Sequence, residues 1–306
     1  MSKDIELEKH VGHAFKSIWP NGDASIIEYL TPMILDFARS DCRDHHYLQE
    51  LQSGDHAKVA ARMWEAMLYA RFHALGWGIS GIAEGPDFLL ETGSGKIIVE
   101  AVTAQPGDPD KAVALNEWLN GGKAAGIVPF DEMILRWTSA LKAKRDKHLK
   151  DVECGRADSD LPFVIALNSC RLGGDTHGVG GVPLAAMAVF PFGNPTAQIN
   201  VTTGEAIGGW HLAWQDALLN HNGTPVPTDS FLSDEYSCVS ALIGCSGFYV
   251  GENERTEFCG QPPYFVVHNP KARNPLPRPW LSGAIEYALG KHEPGNLEMI
   301  CLTPPA

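Results

Sequence analysis

The chain has 306 residues, enough for one large domain or two modest ones with a sizeable core. With 44% hydrophobic and 20% charged residues it is not a globally disordered polymer. Its net charge of -13 excludes a uniformly basic surface, so any contact with nucleic acid has to rest on a local basic patch.

Residues 1–53 read as an N-terminal helical extension. Ile26, Ile27, Leu30, Met33, Ile34 and Phe37 recur at helical spacing. Met1 to Lys9 is acidic and polar, so no secretory leader is read there. The polar connector that follows carries Asp41, Asp44, His45 and His46, which are read as surface residues rather than metal ligands.

From Ala60 to Leu75 the apolar positions Met63, Trp64, Met67, Leu68 and Phe72 predict a helix ended by Gly76, with Glu65 projecting from an otherwise apolar run. A short strand precedes Gly85-Pro86-Asp87, and two apolar runs then flank Gly93-Ser94. That pair fits a two-residue hairpin turn with glycine at its first central position. The register so fixed sets Leu90 opposite Ile97, Phe88 opposite Val99 and Asp87 opposite Glu100. Like charges directly opposite destabilise a hairpin unless a cation or a proton lies between them, and a divalent metal held by carboxylates is the plain chemical answer. The alternative is a half-exposed hairpin with Asp87 in a turn and Glu100 solvated.

A Gly/Pro/Asp-rich connection with Leu115 to Leu119 leads to the helix 131–150. It opens on Asp131 and Glu132 and closes on several lysines, matching the helix dipole at both ends. Ile134, Thr138 and Leu141 form its inward stripe, and Arg136, Lys144 and Lys147 an adjacent basic one. Leu161 to Asn168 is a continuous apolar run, the pattern of a strand buried on both faces.

Helix with Glu65, Gly-Pro-Asp87, then a hairpin into an apolar strand bearing Glu100 resembles the PD-(D/E)XK nuclease superfamily over residues 56–170. The resemblance implies an α/β fold, with a restriction-endonuclease-like central mixed sheet flanked by helices. The extension 1–53 would precede a nuclease-like core at 54–170, and an α+β region at 171–306 would pack on that core. It implies Glu65, Asp87 and Glu100 as catalytic and metal-site carboxylates, the carbonyl of Ala101 as a further ligand, Mg²⁺ or Mn²⁺ as cofactor, and nucleic acid as substrate. The family's lysine falls two residues after the second strand carboxylate, where this chain has Val102. Lys96 is about 13 Å from Glu100 along the strand. Lys144 or Arg136 of the basic helix is therefore expected to replace it, and an inactive nuclease-like binding module is the alternative. Arg136, Ser139 to Leu141 and Lys144, with Tyr264 to Pro270, resemble a bacterial branch of the superfamily that brings no known substrate with it.

After Leu172 no second catalytic pattern is read. Gly244-Cys245-Ser246-Gly247 is one residue short of a nucleophile elbow and lies in an apolar run read as a strand. Trp210 and Trp214, four apart, read as a helix core. The seven scattered cysteines form no CxxC pair, and no apolar stretch has the length of a membrane span. These features predict a soluble, cytoplasmic protein, with a homo-oligomer or larger assembly through the region after Leu172 as a further expectation.

Overall fold

In the computed structural model, residues 3–18, 24–82, 85–120, 128–173, 178, 181–247, 264–293 and 296–303 are described. The N-terminal extension consists of α1 (Lys3–Ile18), α2 (Ala24–Arg39) and α3 (Tyr47–Leu51). They pack Val11, Phe15, Leu30, Ile34 and Tyr47 against α4 (His56–Ala74). The side chain of Asp55 caps α4 by accepting from Ala57 N at 2.8 Å, and Gly76 closes its other end with φ 71°. Glycine supplies that left-handed turn without the clash a Cβ would bring.

β1 (Gly78–Ser80), β2 (Phe88–Thr92) and β3 (Gly95–Thr103) follow as an antiparallel meander. Phe88 pairs with Val99 and Leu90 with Ile97, the register expected from the turn. The residue with positive φ is Gly95 (123°), at the turn's exit, rather than Gly93. After α5 (Val113–Leu119) and α6 (Phe130–Glu153), β4 (Phe163–Asn168) runs parallel to β3. All six β4 residues are buried, as its continuous apolar run requires.

The remaining elements are α7 (Leu184–Met187), β5 (Phe192–Ile199), β6 (Ala206–Trp214), β7 (Ala217–Leu219), β8 (Pro225–Pro227), β9 (Ala241–Cys245), β10 (Phe265–His268), β11 (Ile285–Glu293) and β12 (Asn296–Cys301). The main sheet has the order β1-β2-β3-β4-β9-β10-β11-β12. This is an α/β fold built on a mixed eight-stranded sheet flanked by helices. Residues after 170 extend that same sheet instead of packing on a finished core, because β9 hydrogen-bonds in parallel to β4.

One face, carrying Val99, Ala101, Val164, Ala166 and Ile243, packs on α4 and the extension. The other, carrying Ile98, Ile165, Leu167 and Leu242, packs on α6 and α7. Trp64 ties α4 to the sheet centre, its indole N–H donating to the Ala166 carbonyl at 2.9 Å. At the far side Glu286 is fully buried, and it accepts from the Trp280 and Leu281 amides and from His268.

The helix expected for Trp210 and Trp214 is replaced by strand. Both lie on β6, where Trp210 is 76% exposed. Spacing of four suits either period, and Gly208-Gly209 just before them disfavours a helix. Among the described residues no helix is long and apolar enough to cross a membrane.

Candidate carboxylate site

The main chain of β3 alternates in direction. Ile98 N donates to Pro162 O and Ala104 N to Asn168 O, both toward β4. Val99 and Ala101 therefore direct their N–H and C=O toward β2. β2 begins at Phe88, so Ala101 faces no strand partner there. Its N–H instead donates to Asp87 Oδ2 at 2.7 Å, and its carbonyl points the same way, into the open end of the hairpin.

Glu100 turns to the α6 face and is 3% exposed, which rules out the solvated edge residue of the alternative reading. Lys144 Nζ reaches its Oε1 at 2.8 Å. Lys147 Nζ lies 2.8 Å from Oε1 and 3.0 Å from Oε2, and also meets Gly85 O and Asp151 Oδ2. Burial works against the Lys147 ammonium, but the charge of Glu100 wins and holds its pKa above the usual value. Beside this pair His148 stacks on Phe163, ring centroids 3.8 Å apart, and burial pushes its pKa down to about 4, which keeps the imidazole neutral.

Glu65 arrives from the opposite face of the sheet and is buried. Arg62, one turn earlier, donates to both its oxygens at 3.0 and 2.8 Å. The same guanidinium meets Glu50 of α3 at 2.6 Å and Asp44 at 2.9 Å. Glu65 and Glu100 thus approach from two faces, with Asp87 between them at the sheet's open end. Burial, then the charge of Glu100, raises the Asp87 carboxyl to about 6 against the pull of Lys144 and the Ala101 amide. Burial, then the charge of Asp87, raises Glu65 to about 8, with Arg62 opposing.

A cavity of about 560 Å³ opens on Asp87, Glu65 and Arg62. Its opposite wall is the connector with Asp44, His45 and His46. Those residues are exposed, as expected, yet they stand at the site rather than away from it. Among the described residues no three His, Cys, Asp or Glu groups converge as a ready ligand set. The oxygens of Glu65 and Glu100 face cationic side chains instead.

Lys144 takes the position expected of it. Arg136 does not: it lies about 12 Å earlier along the helix, and its guanidinium is packed against Gly107, where an added Cβ would collide with it. Lys96 pairs with Glu91 near the hairpin turn at 3.2 Å. Lys147 and Arg62 are the contributors that sequence reasoning missed. Lys147 was legible as the residue three after Lys144 on the same stripe. Arg62 had a similar signal, three residues before Glu65. Comparison with protein-family models, curated proteins and solved structures finds no match to this chain.

Proposed function

We propose that the chain is a metal-dependent phosphodiesterase acting on nucleic acid, with its site at the open end of the β2–β3 hairpin. The observation that carries this reading is Lys144 on Glu100 at 2.8 Å. A helix lysine reaches the strand carboxylate although the strand itself offers Val102.

The donor set suits a hard divalent ion. Glu100 is buried, Asp87 is half-buried beside it at the open end of the hairpin, and the Ala101 carbonyl faces the same opening. These three would hold Mg²⁺ or Mn²⁺, with Glu65 ready for a second ion or for orienting water. A bound ion there supplies Lewis acidity toward a phosphoryl oxygen. Lys144 and Lys147 pair with the buried Glu100 side chain and add positive charge where a phosphoryl group gains negative charge. Arg62 fixes the rotamer of Glu65. Because Asp87 and Glu65 hold protons up to about 6 and about 8, cation and proton compete for them, and affinity for the ion rises with pH across that window.

A second reading, a noncatalytic binding module of the same architecture, draws on the existing salt bridges that already occupy both oxygens of Glu100. Calorimetric titration of Mn²⁺ and Mg²⁺ into wild type and Asp87→Ala, followed by cleavage of plasmid and single-stranded substrates, separates the two. Binding that disappears with Asp87, accompanied by cleavage, supports the phosphodiesterase. Absence of binding in wild type sinks it and leaves the module.

A further inference from the structure

The two lysines that meet Glu100 are not equivalent. An ammonium carries three N–H donors. Lys147 brings its donors to four oxygens: Glu100 Oε1 at 2.8 Å and Oε2 at 3.0 Å, Gly85 O at 3.1 Å and Asp151 Oδ2 at 3.2 Å. Among the described residues Lys144 has one acceptor, Glu100 Oε1 at 2.8 Å. Lys144 alone already gives Glu100 a cation. What Lys147 adds is a hold on the Gly85 carbonyl, in the segment that leads into β2.

That hold reaches Asp87 through a short, stiff piece of chain. Gly85 N donates to Ile82 O at 3.1 Å, and a Cβ on Gly85 would stand 3.4 Å from Arg156 O, so the segment rests on the residues that follow α6. The ring of Pro86 locks its own φ, and the next side chain is Asp87, whose Oδ2 accepts from Ala101 N at 2.7 Å. The ladder between β2 and β3 begins at Phe88, so it does not hold Asp87. The other end of the clamp is firm. Asp151, one turn after Lys147 and 3% exposed, is gripped by Arg156 at 2.6 Å.

We infer that Lys147 is a positioning residue: by holding Gly85 O against α6 it sets Asp87 on the Ala101 amide, beside Glu100, and Lys144 takes no part in that hold. Its use to the protein rests on the proposed phosphodiesterase reading, in which Asp87 and Glu100 hold one ion together; the hold itself does not. Of the two ammoniums, Lys144 acts more strongly on the Asp87 charge. Removing Lys144 is thus the harsher electrostatic change, and removing Lys147 the harsher geometric one.

Amide hydrogen exchange of the full chain in EDTA, followed by NMR, tests it at Ala101, whose N–H reports on Asp87 directly. In Lys147→Met the Ala101 amide is expected to exchange about ten-fold or more faster than in wild type, relative to the Val164 and Ile165 amides of β4 in the same protein. General destabilisation would speed all three together. Lys144→Met keeps the ratio within about two-fold of wild type, and Lys147→Arg, which retains charge and donors, restores it. If Lys147→Met does not fold, Lys147→Met with Glu100→Gln removes the uncompensated charge, still leaves Gly85 O without its donor, and carries the same expectation. Two results overturn the inference. One is an unchanged ratio in the folded Lys147 variant, single or double, and the other is a ratio that rises equally in Lys144→Met. Absence of Mn²⁺ binding and of cleavage in wild type would end the phosphodiesterase reading without moving this ratio, so the two failures are told apart.

Discussion

Replacing Asp87 by asparagine keeps an oxygen for the Ala101 amide and removes one half-buried charge. The carboxyl is raised from the ordinary 3.8 to about 6, first by burial and then by Glu100. Between those two values the folded protein retains a proton that the unfolded chain has released. Stability from this group is therefore fully present below 3.8 and is lost as pH rises to about 6. The full difference corresponds to about 3 kcal/mol. Asp87 keeps part of its surface open to the cavity, which reduces the expected cost to about 1–3 kcal/mol. Asp87→Asn escapes it, and also relieves Glu65 of its nearest like charge. The variant should match wild type at about pH 4 and exceed it by about 1–3 kcal/mol at about pH 7, or roughly 2–6 °C in melting temperature. Thermal unfolding in EDTA across this range measures it. Parallel pH profiles for the two proteins, with no gap opening between them, would refute the claim that Asp87 ionises at a cost.

Lys144→Met with Lys147→Met strips the buried Glu100 of both its cations and is expected to destabilise by about 3 kcal/mol. Adding Glu100→Gln should recover most of that in a denaturant titration, and failure to recover it would assign the lysines to packing alone. Trp64→Phe leaves the Ala166 carbonyl without its donor and should cost about 1–3 kcal/mol by chemical unfolding; a neutral result would mean the carbonyl finds another partner. Gly244→Ala drives a Cβ to 2.7 Å from that of Ala185 and 3.0 Å from the Trp137 ring. A loss of about 1–3 kcal/mol is expected, and unchanged stability would show that α7 yields freely.

The carboxylate site was legible where its contacts are local. The turn at Gly93-Ser94 fixed the hairpin register, which left Asp87 just past the last pair, Phe88 with Val99, where it meets the Ala101 amide and feels the charge of Glu100. The inward stripe of α6 implied its basic neighbour, so Lys144 could be anticipated. The reach of Arg136 could not, since a helix stripe gives azimuth but not the level at which the sheet carboxylate stands. The connector at Asp44 to His46 read as plain surface because its proximity to Glu65 arises from the packing of α3 against α4. No periodicity encodes that docking. Strand β6 was misread because Trp210 and Trp214 satisfy helical spacing, while the pairing of β6 with β5 is a nonlocal fact.

The central position of β4 has a consequence for synthesis from the N-terminus. Every residue proposed for the carboxylate site has been made by position 147, and β4 by position 168, but the strand that covers the other edge of β4 is complete only at Cys245. For the intervening stretch of translation, five apolar residues and a row of unpaired amides and carbonyls stand open to any other chain. A fragment ending at residue 170 would remain in that condition permanently. The minimal chain that hides its own adhesive edge therefore extends at least through β9, and a nascent chain shorter than this depends on the ribosome or a chaperone to keep β4 from foreign strands.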